Sequence, residues 1–153
     1  MSFPGLFRLF SWRAAVIAVL GFSAVAAGAV ERRVSIHAPS KVVAGTTFNV
    51  TVVASTDAGQ GERVGFFQVE ASVDGGKTWA AVCYLDNLGN NISRPVSLKA
   101  GAAGTQVRVR VRVAFRAGAA ADVDYTGAAI RWAESWDKWQ EPPAKSVAIA
   151  VGN

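Results

Sequence analysis

From Thr105 to Arg116 the chain alternates without a break: Val107, Val109, Val111, Val113 and Phe115 are separated by Arg108, Arg110, Arg112 and Ala114. Successive side chains of a strand point to opposite faces, so this period of two predicts a strand with one apolar and one basic face; a helix would scatter both sets. The same period runs through Thr46 to Ala54, where Phe48, Val50 and Val52 oppose Thr47, Asn49 and Thr51. It recurs in Val64 to Val73, where Phe67, Val69, Ala71 and Val73 face away from Gln68, Glu70 and Ser72. Shorter runs cover Val34 to Ala38, Trp79 to Leu85, Val96 to Lys99, Asp124 to Ala133 and Ser146 to Val151. Turn signals separate them: Ala44-Gly45, Asp57 to Gly61, Asp74-Gly75-Gly76, Asp86 to Asn91, Ala100 to Gly104 and Ala117 to Ala121. Strands this close leave no room for crossover helices, which predicts an all-β, antiparallel β-sandwich of about seven or eight strands. A small closed barrel is the alternative. No repeat of the length used by propellers or solenoids occurs.

The first 29 residues differ from the rest. Arg8 and Arg13 precede an apolar run that ends at Ala27-Gly28-Ala29, which has the small residues of a signal-peptidase site; Ala24-Val25-Ala26 is a second such site. Residues 1–29 are therefore expected to be a signal peptide and 30–153 the mature domain, secreted or placed in a periplasm or envelope. The competing reading is a retained membrane anchor, because Ala14 to Val30 is 17 uncharged residues. Removing Arg8 and Arg13 lowers the formal charge from +5 to +3, and an exported chain so mildly basic gives no reason to expect a nucleic-acid partner. Apolar residues make up 51% of the sequence, which excludes a disordered chain, and the one cysteine, Cys83, excludes an internal disulfide.

Ser72-Val73-Asp74-Gly75-Gly76-Lys77-Thr78-Trp79 fits S-x-D-x-G-x-T-W and resembles the Asp-box of sialidase propellers and several unrelated β proteins. The resemblance implies a tight hairpin in which Ser72, Asp74, Gly76, Thr78 and Trp79 serve the turn and not a reaction. The strand pattern over residues 33 to 151 resembles immunoglobulin-like and fibronectin type III-like extracellular modules. It lacks the paired cysteines of antibody domains, and it places a further strand and a Trp-rich segment after the basic strand. Such folds carry many unrelated functions.

Groups able to do chemistry are few. His37 is the only histidine, and no metal-ligand spacing of His or Cys is present. Cys83 falls in register with Trp79, Ala81 and Leu85 on the expected core face, where a thiol acts as a small hydrophobe; a Cys83–His37 nucleophile pair is the sharper alternative. Asp122 and Asp124, two apart, would share a strand face and could help to hold Ca²⁺, pair with arginines, or act as glycosidase acid and base. No cofactor is expected. Arg108, Arg110 and Arg112 place guanidinium groups roughly 6.6 to 6.8 Å apart, a spacing suited to acidic or sulfated glycans, unless acidic residues such as Glu70 neutralise them across the strands. Trp132, Trp136 and Trp139 would align on one face of a short helix, or cap the end of the sandwich, or present rings for stacking on sugars.

The expected function is that of an exported, non-catalytic interaction or structural module whose partners are other proteins or an extracellular or envelope polysaccharide. The alternative is carbohydrate binding through Trp132, Trp136, Trp139 and the arginine stripe. A small hydrolase using Asp122 and Asp124 is a distant third.

Overall fold

The computed structural model describes residues 29–86, 88–116 and 142–153, with Asp86 described by its backbone alone. The expected signal peptide up to residue 28, the expected strand Asp124–Ala133, the pair Asp122 and Asp124, and Trp132, Trp136 and Trp139 lie outside the described residues.

The described chain is all-β and forms β1 (Arg32–His37), β2 (Lys41–Val43), β3 (Thr47–Thr56), β4 (Arg63–Ser72), β5 (Ala80–Asp86), β6 (Asn91–Lys99), β7 (Gln106–Arg116) and β8 (Lys145–Gly152). They make two sheets, one of three strands in the order β1-β3-β6 and one of five in the order β2-β8-β7-β4-β5. Among the described residues no helix is long and apolar enough to cross a membrane. The alternating valines of β7 (Val107, Val109, Val111, Val113) and Phe115 are all buried, and they meet Val50 and Val52 of β3 and Val96 and Leu98 of β6 in one core shared by both sheets.

Three features depart from expectation. First, the pairing is not wholly antiparallel: β2 runs parallel to β8, with Lys41, Val42 and Val43 opposite Ala150, Val151 and Gly152. Three residues show no usable periodicity, and a parallel partner must be distant in sequence, so nothing local announces β2. Second, β6 begins at Asn91, well before Val96, and carries Pro95 opposite Thr51. Proline cannot donate to a ladder, but β6 is an edge strand and tolerates one.

Third, the expected register of Cys83 with Trp79, Ala81 and Leu85 is broken. Val69 pairs with Cys83 whereas Glu70 pairs with Ala81, so Val82 is an extra residue on β5. A bulge of this kind reverses the face of everything beyond it. Cys83 and Leu85 pack on the core, while Ala81 lies opposite Glu70 and Trp79 is turned to the outer face, against Arg110. A second irregularity at Gly65, between Val64 and Phe66, keeps both Val64 and Phe67 in the core.

Candidate binding surface

The outer face of the five-stranded sheet is built where β4 and β7 pair: Ser72, Glu70 and Gln68 stand opposite Arg108, Arg110 and Arg112. Directly opposed residues of an antiparallel pair share a face, so the three arginines are on one side, as their spacing predicts. Their surroundings differ. Arg108 is exposed, Arg110 is half-buried and Arg112 is 9% exposed.

Arg110 is bound on two sides. Its Nε and Nη2 donate to Glu70 Oε2 at 2.8 and 2.5 Å, and Gln68 Nε2 donates to Glu70 Oε1 at 2.9 Å. Its guanidinium also stacks on Trp79, with Cζ 4.0 Å from the ring centroid. A planar, weakly hydrated cation suits an indole face, and such contacts contribute about 0.5–2 kcal/mol.

The turn between β4 and β5 holds that indole in place. Asp74 Oδ1 accepts from Ser72 Oγ at 2.7 Å, from Lys77 N at 3.0 Å and from Thr78 N at 3.0 Å. Asp74 Oδ2 accepts from Thr78 Oγ1 at 2.6 Å. Hydrogen bonds from the Thr78 side chain and backbone, then from Ser72, hold the Asp74 carboxyl far below the usual carboxylate range. Gly76 donates its N–H to Ser72 Oγ at 2.8 Å and adopts φ of 99°, a conformation that suits glycine. Its carbonyl accepts from Trp79 Nε1 at 3.1 Å. A side chain here would also press on Arg108, whose Cδ and Nη1 would lie 3.3 Å from an added Cβ. Ser72, Asp74, Gly76, Thr78 and Trp79 are thus all used by the turn. The turn and the stripe meet in a hollow of about 320 Å³ lined by Trp79, Arg108, Arg110, Ser146, Val147 and Ala148.

Elsewhere a buried carboxylate holds β1 to the loop before β4. Glu62 is buried and accepts from Arg32 Nε at 2.8 Å, Arg32 Nη2 at 2.6 Å and Thr56 Oγ1 at 2.6 Å. Burial pushes its carboxyl up, but the bonds from Arg32 and Thr56 outweigh this and bring it down. Burial raises the Cys83 thiol. His37 is exposed on β1 and its Nε2 lies 3.2 Å from Ser35 Oγ. Cys83 is on β5, which shares its flanking hollows with β6, whereas His37 is on β1 at the opposite edge of the sheet that β6 borders, so the two are not brought together. Among the described residues no three His, Cys, Asp or Glu side chains cluster as metal ligands would.

The long side of the molecule between β5 and β6 carries two more hollows that no sequence pattern marked. One, of about 330 Å³, lies between Ala80 and Val82 on β5, Leu98 and Lys99 on β6, and Ala71 and Val107 beneath. The other, of about 240 Å³, is lined by Leu85, Leu88, Ile92, Ser93 and Arg94. They exist because the two sheets come together at this side through edge strands that are not bonded to each other.

No family model matches the chain, and no curated protein matches it. Among solved structures it is similar to a superoxide reductase (neelaredoxin) from Ignicoccus hospitalis. The two are 11% identical with a TM-score of 0.43, over 80% of this chain and 79% of that one. A likeness at that level carries no argument about fold family or activity.

Proposed function

We propose that the chain is an exported, non-catalytic β-sandwich of the immunoglobulin-like or fibronectin type III-like kind, acting as an interaction or structural module outside the cytoplasm. In this reading residues 1–29 direct export, residues 30–153 are the working domain, and the Ser72–Trp79 hairpin is an Asp-box serving the fold. The membrane is involved only if the N-terminal segment stays on as an anchor. The observation that supports it is the disposition of the carboxylates: Glu62, Glu70 and Asp74 are each bound by neighbours that hold the fold. The outer face and edge of the five-stranded sheet present recognition types, the Trp79 indole, Arg108 and the apolar Val82 and Tyr84.

A second reading, binding of an acidic or sulfated glycan, is favoured by the hollow beside Trp79, Arg108 and Arg110. Arg108 offers a guanidinium to a sulfate or carboxylate, and Trp79 offers apolar surface to a sugar ring. Titration calorimetry against dextran sulfate and neutral dextran tests both readings. Binding of dextran sulfate that weakens with salt and with Arg108→Ala supports the glycan reading. Indifference to both polymers removes it and leaves protein partners. Turnover of either polymer overturns the non-catalytic reading.

A further inference from the structure

Among the described residues four strands border the two sheets, and they are not equally protected against further pairing. Natural sheets blunt their edges with short strands, charges, proline or bulges. β2 is three residues long. β1 carries Arg32 and Arg33, ion-paired with Glu62 and Glu31. β6 carries Pro95, Arg94 and Lys99. β5 is seven residues, Ala-Ala-Val-Cys-Tyr-Leu-Asp, with no proline and no charge before its last residue. Val82 and Tyr84 on it are 40% and 39% exposed. Its one irregularity, the bulge at Val82, lies towards its N-terminal end and leaves Cys83 to Asp86 in regular pairing with β4.

The hollows of about 330 and 240 Å³ flank this edge. They sit about three residues apart along β5, near Val82 and Leu85, or roughly 10 Å. A strand laid beside β5 would turn alternate side chains inward, and two apolar ones two to four residues apart could enter the two hollows. The charge of the lining is one-sided. Lys99 borders the first hollow and Arg94 the second, and among the described side chains neither lining includes a carboxylate. Glu70 and Asp74, next in sequence to the first lining, are taken up by Arg110 and by the turn, and Asp86 ends β5 beside Leu85 of the second.

We propose that the β5–β6 side is a strand-docking cleft, which receives an extended, acidic segment of a partner protein by pairing with β5. The apolar side chains of that segment fill the two hollows, and its carboxylates face Arg94 and Lys99. Pro95 leaves β6 a poor ladder partner, so β5 supplies the backbone bonds and β6 the charges. This rests on the interaction-module reading and names its partner class.

The test uses the full chain and a labelled synthetic peptide of strand length alternating Val and Glu, beside a Val–Lys version and a Val–Glu version with a central proline. Fluorescence anisotropy should report binding of the Val–Glu peptide only. Arg94→Glu and Lys99→Glu should each weaken it roughly threefold to fivefold, as expected for a surface ion pair. Val82→Lys, at an exposed position whose change leaves the core intact, should weaken it further. Hydrogen exchange should show β5 amides protected by the peptide and β1 amides unchanged. No binding, equal binding of the Val–Lys peptide, or protection on β1 in place of β5 overturns the proposal. So does β5 protection that rises with protein concentration alone, which would make a second copy the occupant. Calorimetry with dextran sulfate on the same samples separates the two levels. Polymer binding without peptide binding removes the cleft alone, whereas turnover of polymer or peptide removes the module reading as well.

Discussion

Arg110 is held between two unlike partners, with Glu70 Oε2 accepting from its Nε and Nη2 and the Trp79 ring centroid 4.0 Å from its Cζ. The ion pair fixes the direction of the guanidinium, and the indole covers one of its faces. Trp79 is in turn tethered to the Gly76 carbonyl. The β4–β5 turn and the β4–β7 ladder are therefore coupled through one arginine.

Replacing Glu70 by Gln keeps the shape but removes the charge that Arg110 faces in a part-buried setting. It should cost about 1–2 kcal/mol, the range for a hydrogen bond to a charged partner at partial exposure. A double-mutant cycle of Trp79→Leu with Arg110→Met should show coupling of about 0.5–1 kcal/mol. Urea unfolding midpoints read both, and additive effects in the cycle would show that the stacking contributes nothing.

The depressed Asp74 carboxyl makes a signed pH prediction. Its folded-state pKa lies below its unfolded value, so its contribution is complete above the unfolded pKa of about 3.9 and is lost as pH falls towards the folded one. Asp74→Asn should therefore lower Tm by a constant amount near neutrality, and wild type and variant should converge in strong acid. A gap that widens on acidification would reverse the assignment.

Phe67 is fully buried in the core shared by the two sheets. Phe67→Ala should cost about 3–5 kcal/mol through lost transfer energy and the cavity left behind. Arg108→Ala, at an exposed position, should change stability by less than about 0.5 kcal/mol. Denaturant unfolding of both variants checks the contrast.

Burial raises the Cys83 thiol, leaving less thiolate to react at mildly alkaline pH. Ellman's reagent should modify the native protein much more slowly than the urea-unfolded chain. Equal rates would place Cys83 outside the core.

Legibility in the sequence depended on how locally each feature was encoded. β7 was plain because eleven residues repeat one period, and Glu70 could be named as a counter-charge because it alternates on a facing strand. The turn was legible for the same reason: its bonds join residues within about one turn of each other. β2 was not legible, since its partner β8 lies across most of the chain. The bulge at Val82 was hidden too, because an extra residue has no compositional mark and yet reverses which face Trp79 and Ala81 occupy. The hollows beside β5 arise from two sheet edges meeting, and no single strand carries that information.

The parallel contact of β2 with β8 also sets an order of events. Among the described residues β2 pairs only with β8, so Lys41 to Val43 have no ladder partner until that strand has been synthesised. Pairing across so long a separation is slow. Seating of β2 is therefore a late event, which waits on a strand about a hundred residues further along the chain.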